Sequence, residues 1–104
     1  MKAMADVIEA DFVIVGGGSS GCALAARLSA DPACSVILLE AGDRDRSFYI
    51  HLPVTYYKTT GSAFTWGYET APQKHQGDIR TPYAQARVIG GGSSINAQIY
   101  FEQS

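Results

Sequence analysis

Three glycines at positions 16, 18 and 21 separate a short apolar run from an alanine-rich one, and this spacing constrains the fold more than any other feature of the chain. Asp11 to Val15 is β-branched and aromatic, and reads as a buried strand. Gly16 to Gly21 turns the chain. Cys22 to Ser29 is rich in Ala and Leu with Arg27 its one charge, a composition that favours a closely packed helix. Asp31-Pro32 stops that helix, because a residue before proline avoids helical dihedrals. Ser35 to Glu40 is a second apolar run, ending at an Ala41-Gly42 turn. Strand, glycine turn, helix and strand in this order predict parallel strands joined by a right-handed crossover.

The same spacing has chemical content. Gly16 permits a tight turn, Gly18 lets backbone approach a pyrophosphate, and Gly21 allows close helix–strand packing. Ser19 and Ser20 sit where unpaired helix amides and the helix dipole favour an anion. Glu40 ends the second strand a little over twenty residues downstream, so its carboxylate can accept hydrogen bonds from ribose hydroxyls. A carboxylate there disfavours a 2′-phosphate, which makes NADP the least favoured ligand. The competing reading is a generic βαβ turn whose glycines serve packing alone, with Glu40 a solvated strand end.

Beyond the second strand the regular alternation stops. Asp43 to Pro82 carries three prolines and seven of the ten aromatic residues that follow β-type residue Leu39. It reads as an irregular excursion with one short helix around Val54 to Lys58, and a stretch of that length suits a segment lying on further protein or ligand surface. A second glycine-rich turn follows in Ala86-Arg87-Val88-Ile89-Gly90-Gly91-Gly92-Ser93-Ser94-Ile95-Asn96-Ala97. Such a turn frees backbone N–H groups and removes side chains, so backbone can press against an anionic or planar ligand. A final helix is expected to start at Gly92 or Ser93 and run through Ile95, Ala97 and Ile99.

Taken in order, Gly16 to Gly21, Leu38-Leu39-Glu40-Ala41-Gly42, Thr65-Trp66-Gly67-Tyr68-Glu69-Thr70-Ala71-Pro72-Gln73 and Arg87 to Ala97 resemble the N-terminal part of the glucose–methanol–choline (GMC) oxidoreductases, from Asp11 to Tyr100. The resemblance implies an α/β fold, part of a Rossmann-like FAD/NAD(P)-binding domain spanning residues 1–104, with the substrate domain absent. It implies FAD as cofactor and an alcohol as hydride donor, oxidised to a carbonyl compound. By motif position Gly16, Gly18 and Gly21 would hold the FAD pyrophosphate and Glu40 the adenosine ribose. Gly91, Gly92, Ser93 and Asn96 would lie along the pyrophosphate and flavin. Ser19, Ser20, Ala41, Arg87, Val88 and Ala97 complete the cofactor-binding set. Trp66 would lie near the cofactor, or be an ordinary core aromatic. Some members attach FAD covalently through a histidine just before the asparagine. Ile95 stands there, so noncovalent FAD is expected.

Departures from the family limit what the chain does alone. Family chains are several times longer, and their histidine base lies in the C-terminal part. His51 and His75 do not match it and read as surface histidines. The tail Phe101 to Ser104 is unlike the family. An alcohol substrate is therefore expected only in a full-length enzyme, with a complementary C-terminal chain as a possible partner. The alternatives are a non-catalytic dinucleotide-binding module, one chain of a split enzyme, or a small NAD-binding protein. The formal net charge is −2 with no Lys/Arg block, so neither nucleic acid nor a membrane is expected as a partner. Cys22 and Cys34 lack metal-ligand spacing, and Cys22 reads as a buried structural thiol. Low cysteine use and an N-terminus without an apolar h-region point to the cytoplasm.

Overall fold

The computed structural model describes residues 6–59, 63–99 and 102. Strand β1 (Phe12–Val15), helix α1 (Ser19–Leu28) and strand β2 (Val36–Leu39) follow the sequence expectation closely. The strands pair in parallel, with Phe12 opposite Val36 and Val15 opposite Leu39. Helix α1 begins earlier than expected, with Gly18 as its cap and Ser19 and Ser20 inside the first turn. It ends at Leu28, before Asp31-Pro32, where the Asp31 carboxylate accepts the Ala33 amide at 2.9 Å. At the opposite edge of the unit Asp11 and Ser35 lock the strand starts together. The Asp11 carboxylate accepts the Ser35 amide and hydroxyl, both at 2.8 Å. The amide first and the hydroxyl second hold the Asp11 carboxyl below its usual range.

The strands are not buried as their composition suggests. Ile14 is covered by α1, but Val13 and Val15, on the other face, are 54% and 82% exposed. A strand alternates its faces, and no described layer packs against this second one. Cys22 is likewise only half-buried, and its thiol donates to the Gly17 carbonyl at 3.1 Å.

The excursion is irregular, as expected, but carries more local structure than one helix. A single turn α2 (Phe48–His51) is capped by the Ser47 hydroxyl, which accepts the Tyr49 amide. A 3₁₀ segment (Pro53–Lys58) stands where a short helix is expected. Strands β3 (Tyr68–Glu69) and β4 (Pro82–Tyr83) form a small antiparallel pair, extended by a bridge between Thr65 and Ala86. A further bridge, between Asp43 and Val88, runs parallel and brings the second glycine turn back beside the βαβ unit.

The expected C-terminal helix does not form. Gly91–Ser94 is a single 3₁₀ turn. The Asn96 side chain accepts the Gln98 amide at 3.2 Å, and Gln98 is left-handed at φ 53°. A side chain that bonds its own local backbone competes with helix propagation. Ile95 is held instead by burial and by a bond from the buried Thr59 hydroxyl to its carbonyl, at 3.3 Å. Ile14, Val88 and Ile95 are the buried apolar side chains among the described residues. Tyr100 and most of the tail lie outside the described residues, as does Met1 to Ala5.

Candidate functional site

The two glycine turns meet backbone to backbone. The Gly90 amide donates to the Gly17 carbonyl at 2.6 Å, and a Cβ on Gly91 would stand 2.8 Å from the Gly18 Cα. Gly90 and Gly91 both take left-handed φ, 89° and 60°, which an L side chain adopts at a cost. Above this junction the Ser19 and Ser93 hydroxyls share a hydrogen bond. Sequence reading places the two turns on one ligand; the fold places them in direct contact.

Helix α1 opens at this junction. Gly18 supplies no side-chain cap, and the first turn holds no acidic residue. The amides of the first turn have no intrahelical acceptor, so the helix end remains available to an anion. Gly18 and Gly92 have nothing within 4 Å of where a Cβ would stand, so open space adjoins both. At Gly21 the reverse holds, since a Cβ there would stand on the Gly16 carbonyl.

Glu40 spans the site. One carboxylate oxygen accepts the Gly17 amide at 2.7 Å and the other accepts the Gly42 amide at 2.8 Å. Each carboxylate oxygen has a further lone pair, so Glu40 can brace the first glycine turn and the Ala41-Gly42 turn and still accept from a hydroxyl. Replacing Glu40 with Gln turns one acceptor into an NH₂ group facing a backbone amide. We expect this to cost about 1–3 kcal/mol locally, seen as faster hydrogen exchange at the Gly17 or Gly42 amide; unchanged protection at both would contradict the brace.

These elements enclose an open cavity of about 640 Å³, a size usual for small-molecule sites. Its glycine side is formed by Gly16, Gly18, Gly91 and Gly92, its polar rim by Glu40 and Ala41, and its walls by Val88 and Trp66. Trp66 is 43% exposed and stacks on Tyr68 with the rings 3° from parallel, so it is not a core aromatic. Ser19, Ser20, Gly21 and Ser93 belong to the turns beside the cavity rather than to its lining. Asn96 and Ala97 lie beyond the 3₁₀ turn and do not reach it. Arg87 lines a neighbouring cavity of about 460 Å³ with Phe64 and Asp43. His51 and His75 are exposed and line neither.

Sequence reading missed Val15, Leu39, Gln85 and Ala86, which also line the larger cavity. Val15 and Leu39 are the last residues of their strands, and ligands in open α/β sheets sit outside the carboxyl ends of strands. That rule could have found them. Gln85 and Ala86 arrive through the Trp66–Gln85 backbone bond and the Thr65–Ala86 bridge, pairings with no local signal.

No described helix is long and apolar enough to cross a membrane, and no group of metal-binding side chains occurs among the described residues. Comparison with known proteins gives a consistent picture. The family model of the lycopene cyclase protein matches residues 11–48, the stretch that holds β1, α1, β2 and Glu40. An alcohol dehydrogenase [acceptor] of Pseudomonas putida is 46% identical over 91 residues, 86% of this chain and 16% of that protein. A GMC-type oxidoreductase of Mycobacterium bovis is 40% identical over 92 residues, 88% of this chain and 17% of that protein. The crystal structure of pyridoxine 4-oxidase from Mesorbium loti superposes with a TM-score of 0.82 at 40% identity, covering 88% of this chain and 18% of that one. The chain thus spans about a sixth of the length of the relatives it matches.

Proposed function

The chain belongs to the glucose–methanol–choline oxidoreductases, and from that membership we propose that it is the FAD-binding part of a flavin-dependent alcohol oxidase or dehydrogenase. The observation that carries this reading is the junction of the two glycine turns beside a braced glutamate, opening onto a cavity at the strand ends. One dinucleotide-binding turn would serve many cofactors. A second one pressed against it, with Gly91 on Gly18, supplies an extended side-chain-free surface for a long ligand.

The residues present fit FAD. The first-turn amides of α1, with Gly16 and Gly18, would hold the pyrophosphate. Glu40 would accept the adenosine ribose hydroxyls through its remaining lone pairs, while its charge excludes a 2′-phosphate. Trp66 and Val88 would bound the ADP half, and Gly92, Ser93 and Asn96 would continue toward the flavin. Bound FAD supplies the hydride acceptor. Ile95 carries no nucleophile and is buried, which supports noncovalent attachment.

This chain's part in the reaction is binding, orientation and electrostatics. Neither described histidine lines the cavity, so the proton of the alcohol would go to a base on other residues or on a complementary chain. We place the protein in the cytoplasm on its two free thiols.

Titration of the purified chain tests the cofactor. FAD is expected to bind noncovalently, leaving with acid or denaturant, and at least about ten-fold more tightly than NADH, a difference of roughly 1.4 kcal/mol. Tighter binding of NADH would replace this reading with that of a nicotinamide-binding module.

A further inference from the structure

Arg87 lies in the motif that faces the ligand, yet its guanidinium does not line the dinucleotide cavity. It sits over the Trp66 ring, 4.9 Å from the centroid. Its Nε donates to the Ala41 carbonyl at 3.3 Å. Its backbone amide donates to the Phe64 carbonyl at 2.6 Å. Ala41 and Trp66 both line the larger cavity, and the Arg87 side chain links the two. A cation over an indole face is the most favourable of the cation–π pairs, and guanidinium adds planar stacking.

We propose that Arg87 is a positioning residue: it holds the Trp66 indole as a wall of the dinucleotide cavity by stacking on it while tethered to Ala41, and it makes no bond to the ligand. This rests on the reading of the cavity as a dinucleotide site. Three consequences follow from the geometry. Loss of the guanidinium loosens the indole, leaving the Tyr68 stack alone to hold it. The wall is lost equally for ligands with and without phosphate, because Trp66 has no charge to offer a phosphate. Lysine restores the charge but not the planar stack, so it rescues only in part.

Trp66 is the single tryptophan of the chain, so its emission reports the wall directly. The experiment compares the wild-type chain with Arg87→Met and Arg87→Lys, using acrylamide quenching without ligand and titration with adenosine and with ADP. Arg87→Met is expected to raise quenching and to weaken adenosine and ADP alike, by about three-fold, the scale of an exposed cation–π pair. Arg87→Lys is expected between the two, and decides the matter if the methionine variant fails to fold. Unchanged quenching would overturn the proposal. So would a loss confined to ADP, which would mean that Arg87 meets phosphate. If the wild-type chain binds neither probe, the dinucleotide reading fails, and quenching alone still decides whether Arg87 holds the indole.

Discussion

Gly21→Ala is expected to weaken FAD binding by about a hundred-fold or more, equivalent to roughly 3 kcal/mol. A Cβ at position 21 would stand on the carbonyl oxygen of Gly16, with the Gly16 carbonyl carbon 3.1 Å away. Both obstacles are backbone, and Gly16 is itself fixed by a 2.7 Å bond from its amide to the Leu39 carbonyl. No side chain can rotate aside. The N-terminus of α1 must therefore move off the first turn, carrying Gly18 and Ser19 away from Gly91 and Ser93. Overpacking of this kind costs about 1–3 kcal/mol, and more where backbone must shift. Gly18→Ala is the informative contrast. Gly18 has an ordinary φ and open space where the methyl would go, so the free chain should tolerate it. Any loss of FAD affinity there would come from a methyl meeting the ligand. Titration of both variants, with circular dichroism to follow α1, separates the two cases. Full affinity in Gly21→Ala would remove the close packing of the turn from the account of the site.

The βαβ unit was legible because its signals are local. Four apolar residues before Gly16, small residues after Gly21 and an acid at position 40 set strand, turn, helix and rim without reference to the rest of the chain. The role of Glu40 was half legible. Its position at a strand end suggests a ribose partner, and its bond to Gly42 is local, whereas its bond to Gly17 depends on β1 and β2 pairing in space. The same limit explains the C-terminal error. Ser93 to Ile99 has an apolar pattern compatible with a helix, but Asn96 bonding forward to Gln98 and the Thr59 contact with Ile95 end it after one turn. Arg87 shows the limit most clearly. Its place in a ligand-facing motif suggests ligand contact, and only the bridge from Thr65 to Ala86 reveals that Trp66 lies under it.

Without ligand, the purified chain is expected to melt broadly and with little cooperativity, and FAD is expected to sharpen and raise the transition. Its radius of gyration is 18.1 Å, against about 13 Å for a compact domain of this length. Phe12, Val13, Val15, Leu24 and Leu39 of the βαβ unit are each about half exposed or more. Few apolar side chains are then withdrawn from water to offset the ordering entropy of a chain this long. The contacts between the two turns are mostly backbone contacts, so a ligand bridging them would add what burial does not. By linkage, ligand at a hundred times its dissociation constant stabilises the bound form by about 2.7 kcal/mol, a large increment for a marginal fold. Dye binding to exposed apolar surface should fall on the same titration. A sharp two-state melt of ligand-free monomer above about 45 °C, within the ordinary mesophile range, would show that the open faces of β1 and β2 need no cover. A broad melt that FAD leaves unmoved would instead mean that the two turns are not joined until further protein packs against those faces.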